Sequence, residues 1–226
     1  NTETIVSIFV YPTQFNQKKD FKNYPRNIKK DISILKKLKV NYLFLPEVNE
    51  IYKNKMKNFK LNKSDKILCA KYRKGHFEGV LNVMNRLLSI VKSKCVYMGE
   101  KDFQQYMLIK RILGKKYKIN IVGCPTIREN NKIALSKRNK LLNKSSIKKA
   151  SKIAIKLDKI KKLSQTNKTL DLSKSKYELE NKFKIKIDYL EFRDEKKMKL
   201  DNFKSKYRLF IAYNINGVRL IDNFLS

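Results

Sequence analysis

Histidine is almost absent from this chain. His76 is the only one, so no histidine-rich metal site can be assembled, and any Ser-His-Asp triad would have to run through that residue. Cysteine is sparse: Cys69, Cys95 and Cys124 are the three present. They show no C-x-x-C spacing, and an odd, scattered set without a secretory signal reads as free buried thiols in a reducing cytosol. No apolar run approaches the roughly 20 residues that cross a bilayer. The opening Asn1-Thr2-Glu3-Thr4 has neither a basic n-region nor an apolar h-region, so no signal peptide is visible. It also lacks an initiator Met, and strand-like sequence starts at Ile5. The expectation is a cytoplasmic, non-membrane protein whose beginning is missing.

Acid is also scarce. Lys and Arg number 54 against 20 Asp and Glu, a formal charge of +34. Such a balance points toward polyanions, and a basic RNA-binding protein is one reading of it. Yet lysine supplies most of the charge, and bidentate recognition of phosphates and bases favours arginine. The lysines are spread along the whole chain, and no helix-turn-helix, zinc-finger or RRM signature is present. Non-specific affinity for polyanions at low salt is expected, but no specific nucleic-acid partner.

What is present is a core-forming fraction of 42% hydrophobic residues, arranged as alternating strand-like and helix-like stretches. Ile5–Val10, Val40–Leu45, Cys95–Met98 and Ile119–Gly123 read as strands. Between them Ile28–Leu38, Phe77–Val91 and Phe103–Leu113 carry helical apolar spacing. A β-α-β rhythm of this kind predicts an α/β fold, a Rossmann-like parallel sheet with helices on both faces. Three of the four prolines, Pro12, Pro46 and Pro125, follow strands, where they end the ladder. The character changes after Asn139. Two lysine-rich helices, Ser145–Leu163 and Lys174–Lys184, precede strands at Ile185–Phe192, Tyr207–Tyr213 and Val218–Ile221, so residues 144–226 are expected to form a small α+β domain after a larger one at 1–143. The low-complexity stretch Lys152–Lys174 reads as a solvated helix face.

Ligands of doubly wound sheets bind beyond the carboxyl ends of strands, and three polar clusters fall there. They are Tyr11-Pro12-Thr13-Gln14-Phe15, Gly99-Glu100-Lys101-Asp102-Phe103-Gln104-Gln105, and Leu135-Ser136-Lys137-Arg138-Asn139. The second, at a strand-to-helix corner, stands out because glutamine is scarce here; taken alone it also reads as an ordinary helix start with a capping acid. Lysine, serine, arginine and backbone amides gathered together suit a triphosphate. Together the clusters indicate a nucleotide-using enzyme.

These clusters belong to a longer series: Tyr24-Pro25-Arg26, Arg73-x-Gly75-His76-Phe77-x-Gly79-Val80, Val122-Gly123-Cys124-Pro125-Thr126-Ile127-Arg128, Ala134–Asn139 and Gly217-Val218-Arg219-Leu220-Ile221-Asp222-Asn223. In order and spacing the series resembles the pantothenate synthetase (pantoate–β-alanine ligase) family across essentially the whole chain. The resemblance implies a nucleotidyltransferase-type Rossmann domain, a small C-terminal domain closing over the site, ATP as substrate, Mg²⁺, and a homodimer. It implies ATP-dependent condensation of pantoate with β-alanine through a pantoyl-adenylate. By position, Gln14 and Gln105 would bind pantoate, with Gln14 also near β-alanine. Gly99, Glu100, Lys101, Asp102 and the Ile127 backbone would contact ATP. Leu135, Ser136, Lys137 and Arg138 would form the phosphate loop, with Lys101, Ser136 and Arg138 carrying the catalysis. No protein metal ligands are expected.

The chain departs from the family in three places. The family's His-x-Gly-His motif is not among these residues; the resemblance implies that it lies upstream of Asn1 and that a chain without it is severely impaired. A decayed homologue that binds nucleotide without turnover is the corresponding alternative. Lys137 stands where the family usually has a second serine, and Tyr11 replaces an asparagine before Pro12. His76 is expected at a structural place beginning a helix and Arg73 within reach of the phosphates, while Asp222 is read as a turn or hydrogen-bonding residue.

Overall fold

The computed structural model describes residues 3–10, 15, 21–22, 24–52, 59–166, 170–200 and 206–226. The chain divides into two units, Asn1–Val96 with Met107–Ile121 and Tyr97–Tyr106 with Val122–Ser226. The second unit therefore takes in the Gly99 corner and the loop before residue 144, as well as the C-terminal elements.

The first unit opens with β1 (Ile5–Ser7), α1 (Ile28–Lys37) and β2 (Tyr42–Phe44). β1 and β2 pair in parallel, Ile5 opposite Tyr42 and Ser7 opposite Phe44, as a β-α-β unit requires. The strand expected over Ile5–Val10 is shorter because its partner offers three residues; one further bond, Ile8 N to Phe44 O at 3.0 Å, extends the pairing. Asn27 caps α1 by accepting from the Lys30 amide. Two helices of five residues, α2 (Val48–Tyr52) and α3 (Leu68–Tyr72), have no counterpart in the sequence reading. Little more than one turn leaves no periodicity to detect. α4 (His76–Val91) follows, starting after Gly75, whose φ of +78° is one that a side chain rarely adopts. Its Val83 and Leu87 pack with Ile51 of α2 as a small core.

β3 (Cys95–Gly99) and β4 (Asn120–Cys124) are neighbours in a two-stranded sheet. Between them runs one helical stretch, α5 (Phe103–Ile109), a π-helical segment Lys110–Gly114, and α6 (Lys115–Tyr117). The helix expected over Phe103–Leu113 is thus longer and wider-wound in its second half.

In the second unit, α7 (Lys144–Thr166) and α8 (Leu172–Phe183) precede an antiparallel sheet of β5 (Lys186–Asp194), β6 (Tyr207–Ile215) and β7 (Val218–Leu225), in that order. α7 is not merely a solvated face: Ile153, Ala154, Leu157 and Ile160 are buried. Of these, Ile153, Leu157 and Ile160 pack with Leu209, Ile211 and Ile215 of β6 in the main core, each full burial contributing about 1.5–3 kcal/mol. β6 and β7 join through Asn216-Gly217, with φ of 48° and 79° between the paired Ile215 and Val218, the two-residue hairpin that Asn-Gly favours. All three strands outrun their expected ends. In β7 the polar residues beyond Ile221, Asp222 and Asn223, are buried and find partners instead of ending the strand. Among the described residues no helix is long and apolar enough to cross a membrane.

Candidate functional site

β3 delivers the chain to Gly99 in extended conformation, and a 3₁₀ turn, Glu100–Asp102, leads into α5. The turn is pinned from its inner side. The Glu100 carboxylate accepts from Arg208 Nη2 at 3.0 Å, and the same nitrogen donates to Glu195 at 2.7 Å. Arg208 Nη1 donates to Asn223 Oδ1 at 2.6 Å, and the guanidinium lies 4.0 Å over the Phe103 ring. Arg208 is only 3% exposed, and a cation buried so deeply needs charged partners of this kind. Burial raises the affinity of Glu195 for a proton, but hydrogen bonds and charge from Arg208 and Lys206 outweigh it, leaving the carboxyl below its ordinary range.

Packing closes the corner from β4. A methyl group at Gly123 would sit 2.6 Å from Glu100 Oε1, 3.0 Å from its Cγ and 3.1 Å from Tyr106 Cζ. Only a residue without Cβ allows β4 this close.

The chain after β4 forms a small hairpin. Arg128 bridges Ala134, and Leu135 N donates to Ile127 O at 2.9 Å. Arg128 then anchors the hairpin to β7 by donating to both Asp222 oxygens at 2.7 and 2.9 Å and to the Asn223 carbonyl at 3.0 Å, its guanidinium 4.2 Å over Phe224. Asp222 is therefore a hydrogen-bonding residue, on a strand and not in a turn. Its burial pushes the carboxyl up, and Arg128, the Asn223 amide and the charge of Lys101 pull it partly back. Burial likewise pushes the Tyr213 hydroxyl up.

Beyond the hairpin, Ser136 caps a 3₁₀ turn, Lys137–Leu141, by accepting from the Arg138 amide at 3.2 Å. Buried Asn139 braces this turn through its side-chain amide, which donates to Glu129 at 2.9 Å and to the Ala134 carbonyl at 3.1 Å. The Ser136 hydroxyl keeps its own proton to donate.

These pieces meet in one cleft, whose lining includes Lys101, Ser136, Arg138, Arg219, Tyr213 and Asp222. The three residues expected to carry the chemistry are thus brought together from two separate segments. Lys101 also lies 3.7 Å from Asp102. Lys137 is half-buried, while Gly99, Asp102, Ile127 and Leu135 are exposed. Gln105 is half-buried on α5, whereas Gln104 beside it is buried. Gln14 and Tyr11 lie outside the described residues. In the first unit, buried His76 opens α4 with its Nε2 2.9 Å from Arg73 Nη1, the structural place expected for it. The cysteines are free thiols; Cys69 is buried, and Cys95 and Cys124 are only partly so.

Sequence reasoning missed Arg208, Glu195, Asp188 and the part played by Asn223. The signal available was a charged residue in an apolar strand, Tyr207-Arg208-Leu209-Phe210, which has to be paired if the strand is buried. Among the described residues no group of three or more His, Cys, Asp and Glu gathers in a way that could hold a metal.

Fold and cleft together define an α/β protein with a parallel β-α-β entry, a C-terminal antiparallel sheet, and a cation-lined cleft at a strand-to-helix corner. The model of the pantoate–β-alanine ligase family matches residues 1–225, and the chain belongs to that family. A pantothenate synthetase of Thermosipho africanus is 39% identical over 168 residues, 74% of this chain and 60% of that protein. One from a Sulfurihydrogenibium species is 41% identical over 145 residues, 63% of this chain and 52% of its own length. The chain thus matches little more than half the length of these curated relatives. Among solved structures, pantothenate synthetase from Thermus thermophilus superposes with a TM-score of 0.89 at 28% identity, covering 99% of this chain and 83% of that one. The pantoate–β-alanine ligase of Francisella tularensis, complexed with beta-gamma ATP and beta-alanine, gives 0.80 at 39% identity, covering 100% and 80%.

Proposed function

We propose that the protein joins pantoate to β-alanine at the expense of ATP, giving pantothenate, AMP and pyrophosphate, as a cytoplasmic homodimer. The observation that carries the reading is the meeting of Lys101, Ser136 and Arg138 in one cleft. Membership of the ligase family, and a relative at 39% identity bound to a form of ATP and to β-alanine, support the same substrates here.

In the first step the pantoate carboxylate attacks the α-phosphorus, the bond to the bridging oxygen breaks, and pyrophosphate leaves. Two anions must be held in line, so the protein's task is positioning and charge neutralisation, without a side-chain nucleophile. Lys101 and Arg138 supply the positive charge, and the Ser136 hydroxyl supplies a donor held in place by its own capping bond. Gly99, Glu100, Asp102, the Ile127 backbone, Leu135 and Lys137 complete the nucleotide's surroundings, while Gln105 and Gln14 hold pantoate and Gln14 neighbours β-alanine. The nucleotide enters as its Mg²⁺ complex, a substrate form that needs few protein carboxylates. In the second step the β-alanine amine attacks the acyl carbonyl, AMP departs with the bonding pair, and the amine gives up a proton. We assign nucleotide and pantoate binding to a Rossmann-like domain of residues 1–143, and a small C-terminal lid domain to residues 144–226.

Pantoate-dependent exchange of pyrophosphate into ATP, by protein expressed from its complete reading frame, tests this. Exchange is expected, and Lys101→Ala should lower it by about 10²–10³-fold, as loss of a group stabilising transition-state charge does. No exchange by the wild-type protein overturns the reading.

A further inference from the structure

Strand β5 carries one residue more than β6 at a single point. Ile187 pairs with Tyr213 and Tyr189 with Ala212, neighbouring residues of β6, so Asp188 is the extra residue of a bulge. Bulges redirect a side chain out of the regular alternation. Here the redirected carboxylate reaches past β6 to β7, where Asp188 Oδ2 accepts from Arg219 Nε at 2.7 Å. Both side chains are largely shielded, 12% and 21% exposed. A carboxylate on Nε fixes the plane of a guanidinium and so determines where the rest of its fork points.

Arg219 lines the same cleft as Lys101, Ser136 and Arg138. Three cations stand around one concavity, and although Asp188 pairs Arg219 and Asp102 lies 3.7 Å from Lys101, these acids offset their mutual repulsion only in part. Among the described residues the only acid in the lining is Asp222, and Arg128 already holds both of its oxygens. The arrangement is suited to an occupant bearing several negative charges. We infer that Arg219 is a further contact for the nucleotide's polyphosphate, and that Asp188 is the positioning residue that orients it. This inference rests on the proposed reading of the cleft as an ATP site. It brings the C-terminal sheet into nucleotide binding through a strand irregularity, independently of the loop carrying Ser136 and Arg138.

The test measures two quantities in the full-length protein: equilibrium binding of Mg·ATP by calorimetry without pantoate, and pantoate-dependent pyrophosphate exchange. Arg219→Met is expected to weaken Mg·ATP binding about 10- to 100-fold, the range for a hydrogen-bonded charged contact. Asp188→Asn should weaken it in the same direction but less, about three- to tenfold, and Arg219→Lys should recover part of the loss. In all three variants the KM for pantoate should stay within about twofold, because the contact is confined to the nucleotide. Unchanged Mg·ATP binding in Arg219→Met overturns the inference. So does an equal loss toward ATP and pantoate accompanied by a lowered melting temperature, which would mark a purely structural pair. Wild-type protein that binds Mg·ATP but exchanges no pyrophosphate would overturn the ligase reading while the binding series still decides the role of Arg219. Wild-type protein that binds no Mg·ATP overturns both.

Discussion

The side-chain amide of Asn223 donates to the backbone carbonyl of Lys101 at 3.0 Å, across 122 residues of sequence. The same nitrogen donates to the carbonyl of Glu100 at 2.9 Å. One side chain near the end of the last strand therefore sets the backbone path of the corner that carries the lysine, and Arg208, donating to its Oδ1, fixes the amide's orientation.

Replacing Asn223 by Ala removes an acceptor from a buried arginine and a donor from two carbonyls. The expected loss of stability is about 1–3 kcal/mol, the desolvation penalty of groups left unsatisfied. Urea unfolding monitored by circular dichroism checks it. A loss below about 0.5 kcal/mol, within the range of surface substitutions, would mean that the corner holds itself without this strand.

Two glycines of the site should respond in opposite ways. At Gly123 an added Cβ meets Glu100 Oε1 at 2.6 Å and Cγ at 3.0 Å, and the Glu100 carboxylate is not free to swing away because Arg208 holds it. Gly123→Ala is expected to cost about 1–3 kcal/mol, as overpacking does. At Gly99 a Cβ meets nothing within 4 Å, and φ is −67°, so Gly99→Ala should stay within about 0.5 kcal/mol in stability. Thermal melts of the two variants side by side give the contrast; equal effects would contradict this packing.

Glu195 makes a pH prediction. Its folded carboxyl titrates below the ordinary glutamate range, so the fold gains stability from it above the unfolded value, about 4.3, and loses that gain as pH falls through the lowered folded value. The stability difference between wild type and Glu195→Gln should therefore be largest at neutral pH and shrink progressively below about pH 4.3. Asp222, whose carboxyl is raised, works the other way: its contribution falls as pH rises from the ordinary aspartate value toward the raised one. It is present in both proteins and drops out of the difference. A difference that stays constant from neutral pH to about pH 3 would show that the Arg208 and Lys206 pairings do not favour the ionised form.

Much of the site is legible in sequence because its chemistry is contiguous. Gly99–Gln105 and Leu135–Asn139 each carry their polar groups within a few residues of chain, and the apolar runs before them mark where strands end. The β-α-β order is local in the same sense, since propensity acts over a few residues. Reading failed where polarity and local pattern disagreed with packing. Asp222 and Asn223 resemble a strand end until their partners are known, and the lysines of α7 conceal an apolar stripe that is buried.

By itself, then, the sequence determined the class of fold, the order of its elements and the short segments that bear clustered charge and amide groups. The tertiary structure alone decided which of those groups share a cleft, that Asn223 reaches Lys101, that Arg208 stands between Glu100 and Glu195, and that Asp188 aims Arg219. The physical reason is range. Local conformational preferences extend over one or two turns, whereas these pairings follow from the register of the C-terminal sheet, and one bulged residue in β5 determines which side chain faces the arginine.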